Sequence, residues 1–533
     1  MTRTGKPYKY RLCSVLALVW IPLSTACSRV NASEPTKFDV LNSENGAVRY
    51  DLSYVATGEP HLDIKVSIEI KGDPGRIEVQ MPTWSPGDYH LQNHAKQLRD
   101  LKAFEVSETG TEQAVPTAQT DANTWTINGS KQGKYAIHYT MYETPPGIFS
   151  ENIKLNTHFG FVNGPAALIY LVDHKTSPCR LFLHLPAAWT GTLPLEPILA
   201  TAADPVGYKA TDYDALADSP EVFGDAEGLK ITTFKQDNAD FSLVLFRKPS
   251  AVRAADELLS VAKTIAHTES SLMGGMPSGH YAFLFDIDGP GGGLEHLNSF
   301  RIGLFSRVSP ARFSSMIGHE FFHQWNIKRI RPESLGPFDY ITPPRTHNLW
   351  FAEGVTEYYA QISCLRAGFT TPDALLTHYR RMLAAIPSMD AWRKVTAEDA
   401  SYKVWESGDS QGYGGLSYYF KGELIGLCLD LKIRAVTKGQ KSLDDVLRLL
   451  YKRHVQPQPG YGEDEIRTTV NEVAGQDLSD LYNTLVQSTA DLPMAELLAP
   501  FGLSSEMQLL NSANAEPDAQ RLLRRGWLED LKQ

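Results

Sequence analysis

Cysteine is scarce in this 533-residue chain: there are five, and Cys13 and Cys27 lie in or beside an apolar N-terminal segment. Cys179, Cys364 and Cys428 remain, far apart in sequence. Three such residues build neither a disulfide framework nor a Cys-x-x-Cys metal site, and at most one bridge, so buried apolar filler is their expected role. Long apolar runs are also missing. The only one, Leu12 to Leu23, is short for a bilayer span and is interrupted by Pro22, which excludes a polytopic membrane protein. Clustered positive charge is absent too. The formal net charge is -11 and no Lys/Arg cluster with interleaved aromatics offsets it, which argues against nucleic acid or an anionic membrane face as partner. No internal repeat of fixed period occurs.

The N-terminus has the layout of an export signal. Arg3, Lys6, Lys9 and Arg11 precede the apolar run, and small residues follow it, so residues 1–32 are read as a signal peptide. Leu23-Ser24-Thr25-Ala26-Cys27 approximates a lipoprotein signal with Cys27 as the lipid-bearing residue, although Ser24 stands where an aliphatic residue is usual. Val30-Asn31-Ala32 fits an ordinary cleavage site. The protein is therefore expected to be exported, either periplasmic or anchored to the cell envelope through a lipidated Cys27.

A chain this long is expected to divide into domains, giving a multidomain α+β protein. Residues 33–247 carry a β signal: Leu62, Ile64, Val66, Ile68 and Ile70 alternate, then Ile77, Val79 and Met81 after the turn Gly72-Asp73-Pro74-Gly75, then Tyr135, Ile137, Tyr139 and Met141. One buried and one wet face in each strand predicts an all-β, sandwich-like domain. From residue 248 the spacing becomes helical at Val252, Ala255, Leu258, Leu259, Ala262 and Ile265, followed by an apolar strand from Tyr281 to Phe285. Helical patterns dominate beyond Ser309, so residues 248–504 form a second, mainly α-helical domain. Residues 505–533 show little core-forming pattern and are expected to be a loosely attached tail.

The chemistry concentrates in His319-Glu320-Phe321-Phe322-His323. Ser309 and Pro310 suit a helix start, and Arg331-Pro332 a stop, so a helix is predicted between them. Residues 319 and 323 then share one face, where two imidazoles take adjacent corners of a zinc tetrahedron, and Glu320 stands beside them as base for a water. Two satisfied helix histidines would give the same string by chance in a few per cent of chains, but a third ligand candidate follows in Leu349-Trp350-Phe351-Ala352-Glu353-Gly354. A catalytic zinc needs three protein ligands and one open position, which Glu353 completes; Asn348 and Glu333 are the alternatives. Glu357, one turn on, is placed to hold a ligand imidazole by its other nitrogen. Gly354 inside a helix signals a close approach by something else.

The strings His319-Glu320-Phe321-Phe322-His323-Gln324-Trp325-Asn326 and Leu349-Trp350-Phe351-Ala352-Glu353-Gly354, with Met81-Pro82-Thr83-Trp84-Ser85-Pro86-Gly87 earlier, resemble the glycyl aminopeptidase family of gluzincin metallopeptidases. That resemblance implies a β-rich N-terminal domain, a thermolysin-like catalytic domain, one zinc ion, peptide substrates and a preference for Gly or Ala as first residue. It also implies a C-terminal PDZ domain, for which the residues after Phe501-Gly502-Leu503 are too few. Gly289-Pro290-Gly291-Gly292-Gly293-Leu294-Glu295-His296 lacks the Gly-Lys-Ser/Thr ending of a phosphate-binding loop. It is similar to the Gly-x-Met-Glu-Asn element of zinc aminopeptidases, which makes Gly292 and Gly293 part of a substrate-binding strand and Glu295 the anchor for the free α-ammonium. His296 and Leu294 depart from that element. Ser417-Tyr418-Tyr419-Phe420-Lys421-Gly422 is similar to the helix start carrying their catalytic tyrosine, which falls on Tyr419, with Tyr418 and Tyr413 as alternatives.

The expectation is a zinc aminopeptidase that hydrolyses the first peptide bond with Glu320 as general base. An endopeptidase using the same centre, with Glu295 merely structural, and a non-catalytic peptide-binding module are the competing readings.

Overall fold

A computed structural model describes residues 46–71, 75–129, 132–145, 152–199, 201, 206–408, 411–455, 458–510 and 517–529. The signal segment, Cys27 and turn residues 72–74 lie outside the described residues. No helix among those described is long and apolar enough to cross a membrane.

The alternating segments are strands. β1 (Val48–Val55), β2 (His61–Ile70) and β3 (Gly133–Tyr142) pair antiparallel in that order near the centre of an eight-stranded sheet. Leu62, Ile64, Val66, Ile68 and Ile70 all point to its buried face, each fully buried side chain contributing about 1.5–3 kcal/mol. Two four-stranded sheets share the same core, supplying Val79 and Ile127 from one and Ile153 and Phe223 from the other. The result is sandwich-like, because each sheet has one apolar face to cover.

The second region is built on a five-stranded sheet. β4 (Leu229–Gln236) and β5 (Ala239–Phe246) form a hairpin, α1 (Ala255–Met273) follows, then β6 (His280–Ile287), β7 (Gly293–His296) and β8 (Ser299–Leu304), in the order β4-β5-β6-β8-β7. The hairpin, expected with the first domain, is thus hydrogen-bonded into the second sheet, β5 running parallel to β6. Period-two patterning marks a strand but not the sheet it joins. Among the described residues β7 is an edge strand with one side unpaired in the sheet.

Helices α2 (Ser314–Phe322), α3 (Thr356–Arg366) and α4 (Tyr418–Val436) pack into one large apolar core with this sheet. The β region reaches toward them through a loop: Thr83 N–H donates to the Tyr340 carbonyl at 2.9 Å and Trp84 Nε1 to that of Asp339 at 2.8 Å. Cys179, Cys364 and Cys428 are buried and free.

Part of the tail expected to be loose is docked. α5 (Asp518–Leu528) buries Trp527 and Leu528, and Arg434 Nη1 donates to the Gly526 carbonyl at 3.0 Å. Trp527 and Leu528, with Leu523 half-buried against the same core, dock the helix, and so few anchors are hard to read as a pattern.

Candidate active site

Phe313, Ile317 and Phe321 face the core and hold α2 beneath the sheet, so that His319 and His323, one turn apart, face the same side. The helix is shorter than its flanking signals predict. It ends at Phe322, where the His323 carbonyl accepts from Lys328 N–H at 3.0 Å and closes a tight turn. Within that turn Asn326 does work the sequence reading missed. Its carbonyl accepts from His323 Nδ1 at 2.8 Å, and its amide donates to the carbonyl of Phe351 at 2.8 Å and to Thr356 Oγ1 at 3.1 Å. The first bond turns His323 Nε2 inward as a lone-pair donor, the arrangement a metal-ligating imidazole needs. The others tie the histidine turn to the segment that carries Glu353.

That segment, Trp350–Val355, is a π-helical turn running into α3, a local widening that recurs at functional sites. It brings Glu353 Oε2 to 3.2 Å from His323 Nε2 and 3.6 Å from His319 Nε2, with the two imidazole nitrogens 3.0 Å apart. Three donor atoms at such spacings outline one face of a tetrahedron whose edges, for bonds of about 2.0–2.1 Å, measure about 3.4 Å. Glu353 Oε2 is buried and accepts no hydrogen bond. Burial opposes charge on both partners, yet the Glu353 and Glu295 carboxylates outweigh it and raise His323 above the ordinary imidazole value, while His323 and His319 hold Glu353 below the ordinary carboxylate value. The pocket therefore draws positive charge between these groups, which a divalent metal supplies. Glu357 Oε1 lies 3.4 Å from His319 Nδ1. Glu333 is exposed and Asn348 donates to Glu463 at 3.0 Å, so neither alternative ligand joins the cluster.

Gly354 shows why glycine stands there. A Cβ on it would lie 2.6 Å from the Tyr418 carbonyl oxygen and closer still to the backbone of Gly422, where α4 crosses. Gly354→Ala is expected to cost about 1–3 kcal/mol by forcing the two helices apart, a loss visible in chemical denaturation, with metal affinity falling as Glu353 shifts.

Glu320 is buried directly under β7; a Cβ on Gly293 would collide with its carboxylate. Burial, then the nearby Glu295, Glu353 and Glu357, push its carboxyl well above the ordinary value, with His319 opposing. Two residues along β7, Glu295 offers a carboxylate oxygen within 4.8 Å of ligand atoms of both Glu320 and His323. Gly292 has φ of +87°, a conformation suited to glycine, and its carbonyl accepts from Gly303 N–H at 3.0 Å.

Two residues from the β region complete this wall. Gly87, at φ +91°, leaves room for Glu295: a Cβ would sit 2.6 Å from both carboxylate oxygens. Tyr89 is buried near Glu353 and Glu295, and burial followed by these two charges raises its phenol well above the ordinary value. Only the string ending at Gly87 hinted at the first, and nothing hinted at the second. Among the tyrosines, the Tyr419 ring stacks on His319 with centroids 5.9 Å apart. Tyr418 is fully buried behind it, and Tyr413 lies under Lys403, whose Nζ is 5.5 Å from the ring centre.

A β-rich region leading into a helical one, with a His, His and Glu set over an edge strand, defines a metallopeptidase of gluzincin type. The Peptidase M61 N-terminal domain matches residues 49–225, and M61 glycyl aminopeptidase matches residues 312–425. The chain belongs to the M61 glycyl aminopeptidase family and is a metallo-aminopeptidase. It is similar to the structure of an aminopeptidase N family protein from Idiomarina loihiensis, at 25% identity and a TM-score of 0.77 over 86% of this chain and 78% of that one. An M1 zinc metallopeptidase from Deinococcus radiodurans shares the fold at 14% identity and a TM-score of 0.51, over 85% of this chain and 96% of its own. A mutant of that enzyme bound to a Tyr-Ser-Ala substrate matches at 15% identity and a TM-score of 0.50, over 84% and 96% of the two chains. No curated protein matches the chain.

Proposed function

We propose that the protein removes single residues from the amino end of peptides, with zinc held by His319, His323 and Glu353. The observation that carries this reading is the separation of Glu295 from the reacting centre. Its carboxylate lies within 4.8 Å of Glu320 and His323 ligand atoms, and Glu295 Oε1 is buried with no hydrogen-bond partner. In a substrate the α-nitrogen stands about 2.5 Å from its own carbonyl carbon, and each further residue adds up to about 3.3–3.6 Å. An ammonium on Glu295 therefore leaves the first carbonyl, not the second, over Glu320.

His319, His323 and Glu353 would hold the zinc, which when bound would supply Lewis-acid polarisation of the scissile carbonyl and a more acidic water. Glu320 takes the proton of the attacking water and passes it to the leaving amine. Tyr419, kept protonated by burial and by Glu353, donates a hydrogen bond to the carbonyl oxygen as negative charge develops there. Gly293 offers backbone on the free edge of β7 to an extended substrate, while Gly292, whose carbonyl is spent on Gly303 N–H, shapes the turn into that strand. Glu357 faces His319 Nδ1 and favours the ring orientation that turns Nε2 toward Glu353. Beside Glu295 a cavity of about 20 Å³, lined by Trp84, Gly87, Tyr89, Ile327, Leu335 and Phe338, has room for about one water or a methyl group, which favours Gly or Ala as first residue. The export signal in residues 1–32, with or without a lipid on Cys27, directs this activity to the cell envelope.

Mass spectrometry of an unblocked Gly-Ala-Gly-Ala peptide incubated with purified protein tests the ruler. Products shortened one residue at a time are expected. Initial loss of a dipeptide, or cleavage in the middle, would contradict it.

A further inference from the structure

Four ionisable side chains meet at the amine anchor, Glu295 among them, and the other three have no place in the chemistry above. Lys328 Nζ lies 3.0 Å from Asp218 Oδ2, 3.2 Å from Asp218 Oδ1 and 3.7 Å from Glu295 Oε1. His296 Nδ1 lies 3.1 Å from Asp218 Oδ1. All four residues are buried. Asp218 comes from the β-rich region, His296 and Glu295 from β7, and Lys328 from the turn after His323, so the cluster joins three separate pieces of chain.

The backbone is bent to deliver the lysine. Ile327, just before it, has φ of +145°, a conformation that β-branched residues avoid and that persists only where the surroundings enforce it. Lys328 N–H is held by the His323 carbonyl, and Arg329 donates to the Leu297 carbonyl at 2.8 Å and to Asn298 Oδ1 at 2.6 Å. Lysine and anchor are thereby fixed relative to each other and to the metal-ligand helix.

We propose that Lys328 is a positioning residue for substrate binding: it sets the charge of the amine pocket and holds Glu295 on the metal side of Asp218. This rests on Glu295 being the ammonium anchor. Asp218 and Glu295 present two carboxylates to the single ammonium of Lys328, and buried charge is tolerated only when paired. A substrate bearing a single α-ammonium closes the balance. Without the lysine, two buried carboxylates repel and Glu295 loses its fixed direction; without Asp218, Lys328 pairs with Glu295 alone and cancels the attraction.

Steady-state kinetics of Lys328→Met, Lys328→Arg and Asp218→Asn on Gly-p-nitroanilide, beside glycolyl-p-nitroanilide with hydroxyl in place of amine, test this. Lys328→Met and Asp218→Asn are expected to raise KM for the amine substrate roughly tenfold or more, by more than kcat falls. Lys328→Arg should recover part of the loss, and the hydroxyl substrate should show no matching rise in KM. Asp218→Asn keeps the test decisive if Lys328→Met does not fold. Unchanged KM in these variants, or equal effects on both substrates, overturns the proposal. Glu295→Gln measured alongside separates the levels. If it raises KM while the other variants do not, only the role of Lys328 fails; if it leaves KM unchanged, the anchor fails and this proposal with it.

Discussion

Glu320→Gln is expected to lower kcat for peptide hydrolysis by about 10²–10⁴-fold, the contribution of a positioned general base, while leaving the bound metal in place. The split follows from geometry. His319, His323 and Glu353 converge without help from Glu320, whose carboxylate lies under Gly293 instead. The amide keeps the shape of the acid, so β7 should not move. Metal analysis of the purified variant and its kcat on Gly-p-nitroanilide check the two halves separately. A variant that loses metal and activity together would mean that Glu320 is a ligand and the base lies elsewhere.

Glu353→Ala should show the opposite split. Removing it leaves two imidazoles one turn apart without their third ligand, and takes away the charge that raises His323. Zinc affinity is expected to fall more than about 100-fold, beyond the 10–100-fold that loss of a supporting contact alone produces. Activity should vanish at stoichiometric zinc and return in part when zinc is raised, which Glu320→Gln cannot do. Competition with a chromophoric chelator measures the affinity. Because zinc binding stabilises the folded state in proportion to its affinity, loss of Glu353 should also change thermal stability less in metal-free protein than in zinc-loaded protein.

The contrast between these residues shows what a linear sequence carries. His319, Glu320 and His323 lie within five positions of one another on a helix, and helical period alone puts both imidazoles on one face. Glu353 and Glu357 repeat that logic on a second helix, although the π turn that aims Glu353 left no trace in the pattern. Alternation along Leu62 to Ile70 gave the buried face of β2 but not the membership of β4 and β5, since sheet assignment depends on pairing with distant strands. Gly87, Tyr89 and Asp218 reach the site from chain far upstream, and no local spacing reports that. Asn326 and Lys328 lie near the motif, but inside a turn where the expected helix has already ended. Their roles follow from where the His323 carbonyl and ring nitrogen are spent, which periodicity does not encode.

The most direct test of the account is hydrolysis of Gly- and Ala-p-nitroanilide and their N-acetylated forms by purified protein, before and after chelation and again after zinc is restored. Cleavage of the free-amine substrates only, abolished by the chelator and recovered with zinc, is the predicted result. Equal cleavage of the acetylated forms would contradict Glu295 as the amine anchor, and cleavage that survives complete metal removal would contradict the metal centre itself.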